Sequence, residues 1–142
     1  MALLISVGVF MKTLVEAREA HNINHGAAFK MGVNILNKWE CSVPQKLAIL
    51  SVPRSTYHRY VKNDGAVSLS SDQLERLSYL ANIHQALRLV FSNPENVYGF
   101  MGMANSNPYF NGRTPLSIIS TGSFGALYEV FKRIDSMRSG QW

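Results

Sequence analysis

SVPQKLAILSVPRSTYHRYVK, residues 42–62, decides the fold of this chain. The Ser42 hydroxyl can accept a hydrogen bond from a backbone amide of a first helical turn, and Pro44 stands where a helix loses nothing by lacking an N–H. A short helix therefore starts after Ser42, with Leu47, Ala48 and Leu50 facing inward. Ser51, Val52 and Pro53 break it. Residues 54–62 then form a second short helix, with Tyr57, Tyr60 and Val61 available for packing and Arg54, Ser55, Thr56, His58, Arg59 and Lys62 mostly on the other side. Short helix, tight break, and a second helix rich in Arg, Ser, Thr and His is the plan of a helix-turn-helix.

In such a motif the second helix presents, near its N-terminus, groups that bond to base edges. Arg is the usual partner of guanine, and Ser and Thr reach bases or phosphates. The expected readers are Arg54, Ser55, Thr56 and His58, with Arg59, Lys62 and Lys46 as phosphate contacts. Charge agrees: residues 26–65 hold six basic groups against two acidic ones, so four of the chain's five net positive charges fall in this segment. Such clustering suits a surface that meets phosphates. A small helical bundle with a solvated basic face is the alternative that these residues alone leave open.

Outward from this core, GAAFKMGVNILNKW (26–39) places Phe29, Val33, Leu36 and Trp39 on one helical face. Asn63-Asp64-Gly65 is a turn, and in SSDQ Ser70 can cap a helix while Gln73 reaches back. The long helix that follows, residues 72–91, is apolar over more than a stripe: Leu74, Leu77, Leu80, Ala81, Ile83, Leu87, Leu89, Val90 and Phe91. A helix so wide is buried on two sides, joining two lobes or lying in a dimer interface. His84 inside this band reads as a hydrogen-bonded packing residue.

Asn93-Pro94 opens a helix through ENVYGFMGM, NSNPYFNGRTP interrupts it, and Thr114-Pro115 opens another over PLSIIS. In the interruption, Asn-Pro and Asn-Gly fix a bend that Tyr109 and Phe110 can pin to the core. Ser123 caps a last helix whose inward face is Leu127, Val130, Phe131 and Ile134. The expected fold is all-α.

Composition supports a packed domain: 142 residues, 46% hydrophobic and 11% aromatic. A single cysteine, Cys41, provides neither a disulfide framework nor a thiolate metal cluster, and reads as a small, half-buried apolar residue. The run ALLISVGVFM (2–11) is too short to span a bilayer and lacks the flanks of an export signal, so a cytoplasmic protein is expected. That run reads equally as an added strand, a partner-binding arm, or a tail preceding a true start at Met11. Catalysis finds no support. His21 and His25 share ligand spacing without a carboxylate pair or cysteine nearby, no phosphate loop or nucleophile elbow occurs, and GFMGMANSNPYFNG (99–112) lacks the strand of a dinucleotide fingerprint. No cofactor and no metal are expected.

LSSDQLERLSYLANIHQALRLVF (69–91), NPYFNGRTPLSIISTGSFGALYEVFKRID (107–135) and the closing Gly140-Gln141-Trp142 resemble the toxin-binding domain of Xre/MbcA/ParS-type antitoxins, the partners of RES-domain toxins. RSTYHRYVKN (54–63) resembles the recognition helix of the Xre-like helix-turn-helix that precedes it in that family. The resemblance covers residues 26–142 and implies three parts: an N-terminal extension over 1–25, a DNA-binding domain over 26–65, and a toxin-binding and dimerisation domain over 66–142. It implies an antitoxin that binds a RES toxin, blocks its active site and represses its own operon by binding operator DNA. RES toxins degrade NAD or use it to modify a target, so the antitoxin itself handles no NAD. The resemblance further implies a homodimer and larger toxin–antitoxin complexes. In the family the last helix and tail lie at the mouth of the toxin's active site, which points to Lys132, Arg133, Arg138, Gln141 and Trp142. The bend before it braces the docking face and adds Arg113. The competing reading is a transcriptional regulator whose C-terminal lobe serves only dimerisation or another partner.

Overall fold

The computed structural model describes residues 24–63 and 65–140, and among these the regular secondary structure is helical throughout. Three helices come first: α1 (His25–Lys38), α2 (Val43–Leu50) and α3 (Arg54–Val61). The long α4 (Ser71–Val90) follows, then α5 (Pro94–Gly99) running into a 3-10 turn, α6 (Pro115–Ile119), and α7 (Phe124–Ser136) with a closing 3-10 turn. The extension over residues 1–23, including the run 2–11 and His21, lies outside the described residues, as do Asp64, Gln141 and Trp142.

Local chemistry sets the helix starts. Ser42 and Ser70 each accept from the amide three residues on, while Gln45 and Gln73 accept from the Ser42 and Ser70 amides, closing two capping boxes. Asn93, Thr114 and Ser123 cap α5, α6 and α7 as expected. Asn24 caps α1 through the Ala27 amide at 2.9 Å, a start that the asparagine- and histidine-rich HNINH obscures. The α5 helix is shorter than expected: it gives way after Gly99 to the 3-10 turn Phe100–Gly102.

The axle of the molecule is α4, against which α1, α2, α5 and α7 pack. Five consecutive residues, Arg76, Leu77, Ser78, Tyr79 and Leu80, are buried, which requires neighbours on every side. The buried polar groups are bonded: Ser78 Oγ donates to the Leu74 carbonyl and Asn82 Nδ2 to that of Ser78. Leu127, Val130, Phe131 and Ile134 of α7 face this axle as expected. Burying each such side chain contributes about 1.5–3 kcal/mol.

Some apolar positions depart from the sequence reading. Val61 and Leu89 are 49% and 59% exposed, because each falls on the outer side of its helix. Ile35 and Ile49 take core places instead, and Leu47 and Ala48 are only half-buried. Cys41 is more deeply buried than expected, and burial pushes its thiol pKa up to about 11. We expect Cys41 to resist alkylation at pH 8 in the folded protein and to react once urea unfolds it.

Gly32 lets α1 approach α4 closely. A Cβ there would run into Leu77 Cδ2, and Leu77 is itself 1% exposed, so making room displaces a packed core side chain. Gly32→Val should therefore cost about 2–3 kcal/mol by overpacking, although glycine is a poor helix former. A urea denaturation curve measures it.

Candidate functional site

Two surfaces hold the residues that the sequence singled out. The first is α3. Its Tyr57 and Tyr60 are buried and meet the Phe29 ring edge-on at 5.9 and 5.3 Å. The Tyr60 hydroxyl donates to the Ser68 carbonyl at 2.9 Å and anchors the chain entering α4. With these rings fixed inward, Arg54, Ser55, His58, Arg59 and Lys62 are exposed and Thr56 is half-buried. The break between α2 and α3 is tight. Ser51 takes a left-handed φ of 57°, the amides of Ser51 and Val52 bond back to Ala48 and Leu47, and Val52 is buried. Lys46 differs from the other cations: it is 9% exposed, with Nζ 6.0 Å from the Tyr57 ring, so its stem packs rather than projects. Val61, expected to pack, is on the outer surface beside Lys62.

The second surface joins the bend at 105–113 to α7. The bend is closed by its backbone: Gly112 N donates to Asn105 O at 2.7 Å and Asn105 N to Arg113 O at 3.1 Å. Asn111 and Gly112 both take positive φ, which Asn and Gly tolerate best. Phe110 is fully buried and holds the bend in the core, while half-buried Tyr109 meets it edge-on at 5.2 Å. Arg113 donates from Nε to the Phe110 carbonyl at 2.8 Å and from Nη2 to that of Tyr109 at 2.6 Å.

Arg133 arrives from α7. Its guanidinium carbon is 4.8 Å from the centre of the Tyr109 ring, and that of Arg113 is 5.7 Å from the same centre. Two cations thus converge on one aromatic ring, with partly solvated Glu129 3.6 Å from Arg133 and exposed Lys132 one residue away. Arg138 stands apart: it is tied to Asp135 at 3.0 Å, its side chain 16% exposed. Gln141 and Trp142 fall outside the described residues.

Arg76 and Tyr98 were not singled out, and Tyr109 has a larger part than expected. Arg76 is 7% exposed and bonds to Asp72 at 2.8 Å, to the Ile49 carbonyl at 3.2 Å and to the Gly122 carbonyl at 3.0 Å. It ties the end of α2 to the turn before α7, and its only trace in the sequence is an Asp72–Arg76 pair of helical spacing. Tyr109 was expected only to pin the bend. Tyr98 stacks on His84 at 5.7 Å and carries Lys38 Nζ at 4.8 Å. His84 does pack, but its Nδ1 is enclosed without a hydrogen-bond partner, contrary to the bonded role expected. Burial first, then the charges of Arg88 and Lys38, hold the His84 pKa below its usual value.

Among the described residues no group of three His, Cys, Asp or Glu could hold a metal ion, and no helix is long and apolar enough to cross a membrane. His25 uses Nδ1 to accept from the Leu69 amide at 2.9 Å.

Comparison with known proteins follows the same two surfaces. Residues 19–82 match the antitoxin Xre-like helix-turn-helix domain, and residues 86–140 match the antitoxin Xre/MbcA/ParS C-terminal toxin-binding domain. The uncharacterized protein y4oB of Sinorhizobium fredii (strain NBRC 101917 / NGR234) is 30% identical over 107 residues, covering 75% of this chain and 80% of that protein. No solved structure matches. The chain belongs to the Xre/MbcA/ParS family of antitoxins. It combines a DNA-binding helix-turn-helix with a toxin-binding domain, and the two matched segments meet within α4.

Proposed function

We propose that this antitoxin neutralises a RES-domain, NAD-consuming toxin by covering its active site, and represses its own operon through α3. The observation that carries the first half is the face built from the bend and α7, where Arg113 and Arg133 are ordered against Tyr109 inside the toxin-binding domain. A protein inhibitor gains most from anchors ordered before contact, and Arg and Tyr are frequent interface hot spots. Lys132 extends this face, and Arg138, Gln141 and Trp142 supply the part that enters the toxin's active-site mouth. The antitoxin performs no catalysis and needs no cofactor. The proposal also divides the chain into a DNA-contacting part over 26–65 and a toxin-contacting part over 66–142 that pairs with a second copy, with α4 serving both, all in the cytoplasm.

Titrating the antitoxin into a purified RES protein encoded beside it tests the first half. NAD consumption should fall to zero at a fixed molar ratio, and continued consumption at excess would refute the reading. Removing residues 140–142 should weaken inhibition while leaving operator binding intact.

In the second half, Arg54, Ser55, Thr56 and His58 read bases, and Arg59, Lys62 and, from its packed position, Lys46 meet phosphates. Arg54→Ala should cost about 1–3 kcal/mol of operator affinity. Affinity should also fall steeply with salt, since phosphate contacts release counterions. Mobility shifts at several salt concentrations measure both.

A further inference from the structure

Between α1 and α4 lies a groove lined by none of the residues assigned above to operator or toxin contact. Met31, Asn34, Ile35 and Lys38 line it from α1, and Ala81, His84, Gln85 and Arg88 line it from α4, each set spaced i, i+3, i+4, i+7. Both helices therefore present one full face to the same space. That space is about 430 Å³, within the range of small-molecule sites. At 1.5 Å per residue, the lined stretch of each helix is roughly 10 Å long.

The groove is apolar along Met31, Ile35 and Ala81 and cationic where His84 stands. Lys38 reaches that point through the Tyr98 ring, which stacks on His84, and Arg88 follows His84 by one turn. No Asp or Glu lines the groove. Arg88 also borders the neighbouring hollow beside Phe91 and Tyr98, again without a carboxylate, whereas Lys38 has Glu40 and Glu95 beyond Tyr98. Burial first, and then the two cations, already hold His84 toward its neutral form. An anion arriving there would offset both cations at once.

We propose that this groove binds a small amphipathic carboxylate, its apolar body along Met31, Ile35 and Ala81 and its head group between Lys38 and Arg88. Charge complementarity selects the head group, and the two-turn length selects a small molecule over a peptide helix. The site joins the two matched segments: α1 belongs to the helix-turn-helix, and Arg88 and Tyr98 belong to the toxin-binding domain.

Octanoate is a suitable probe, with octanol as the uncharged control. Calorimetry on the full chain should give saturable octanoate binding and none for octanol, with NMR shifts centred on Ala81 and His84. Lys38→Gln and Arg88→Gln should each weaken octanoate at least tenfold. Ala81→Phe, which fills the groove, should abolish binding while the thermal melt stays cooperative. Equal responses to octanoate and octanol, unchanged binding in both charge variants, or saturation by an acidic amphipathic peptide but not by octanoate would overturn the proposal.

Discussion

Arg133→Glu should weaken capture of the toxin by about 2–4 kcal/mol, roughly 30- to 1000-fold, while costing the fold less than about 1 kcal/mol. The two effects separate because Arg133 contributes little to the free protein. Its pair with Glu129 spans 3.6 Å between side chains 46% and 39% exposed, and exposed pairs of this kind are weak. Placing Glu opposite Glu129 one turn away adds only a few tenths of a kcal/mol of repulsion. On the binding side, a guanidinium already resting 4.8 Å from the Tyr109 ring loses little freedom on contact, so if the proposed face docks on the toxin, most of what Arg133 gains there would appear as affinity. Arg113 makes a less clean variant, since it also donates to two carbonyls of the bend. Biolayer interferometry on immobilised toxin, with a urea curve on each variant, would measure both quantities. Operator affinity should not change.

Arg76→Ala should destabilise the fold by about 2–4 kcal/mol. Its side chain is 8% exposed and donates to two carbonyls outside regular helix pairing: Ile49 in the last turn of α2, and Gly122 in the turn before α7. The Ile49 carbonyl, at a helix C-terminus, has no partner within its own helix, and that of Gly122 lies in a turn, so losing this donor leaves a buried and a part-buried acceptor unpaired. Space is short around the same turn: Gly122 has φ 84°, and a Cβ there would come 3.2 Å from the Ala48 carbonyl oxygen. Asp72, by contrast, is 52% exposed, and Asp72→Asn should cost under about 1 kcal/mol. Urea denaturation of the two variants side by side separates the buried donor from its exposed ion-pair partner.

The sequence made local features readable. Ser42, Ser70, Asn93, Thr114 and Ser123 were identifiable as caps because a cap bonds within three residues of itself. The inward face of α7 followed from periodicity, because that helix buries one side only. Burial around α4 was not readable at the same resolution. Arg76, Ser78 and Asn82 are enclosed because four other helices surround them, and no window along the chain reports how many neighbours a helix has. Lys46 carries the same lesson: a charge reads as exposed until the fold buries it, here to 9% exposure with Nζ 6.0 Å from the Tyr57 ring. The candidate toxin face was legible only in part. Arg113 and Arg133 were recognisable one by one, but their meeting at Tyr109 joins residues up to 24 positions apart and required the folded bend.

Co-expression with the adjacent gene tests the central claim most directly, with growth and cellular NAD as the two readouts. The neighbour alone should arrest growth and deplete NAD, and this chain should restore both while co-purifying with its partner. Persistent arrest and depletion with both proteins present, or a neighbour that leaves growth and NAD unchanged, would contradict it.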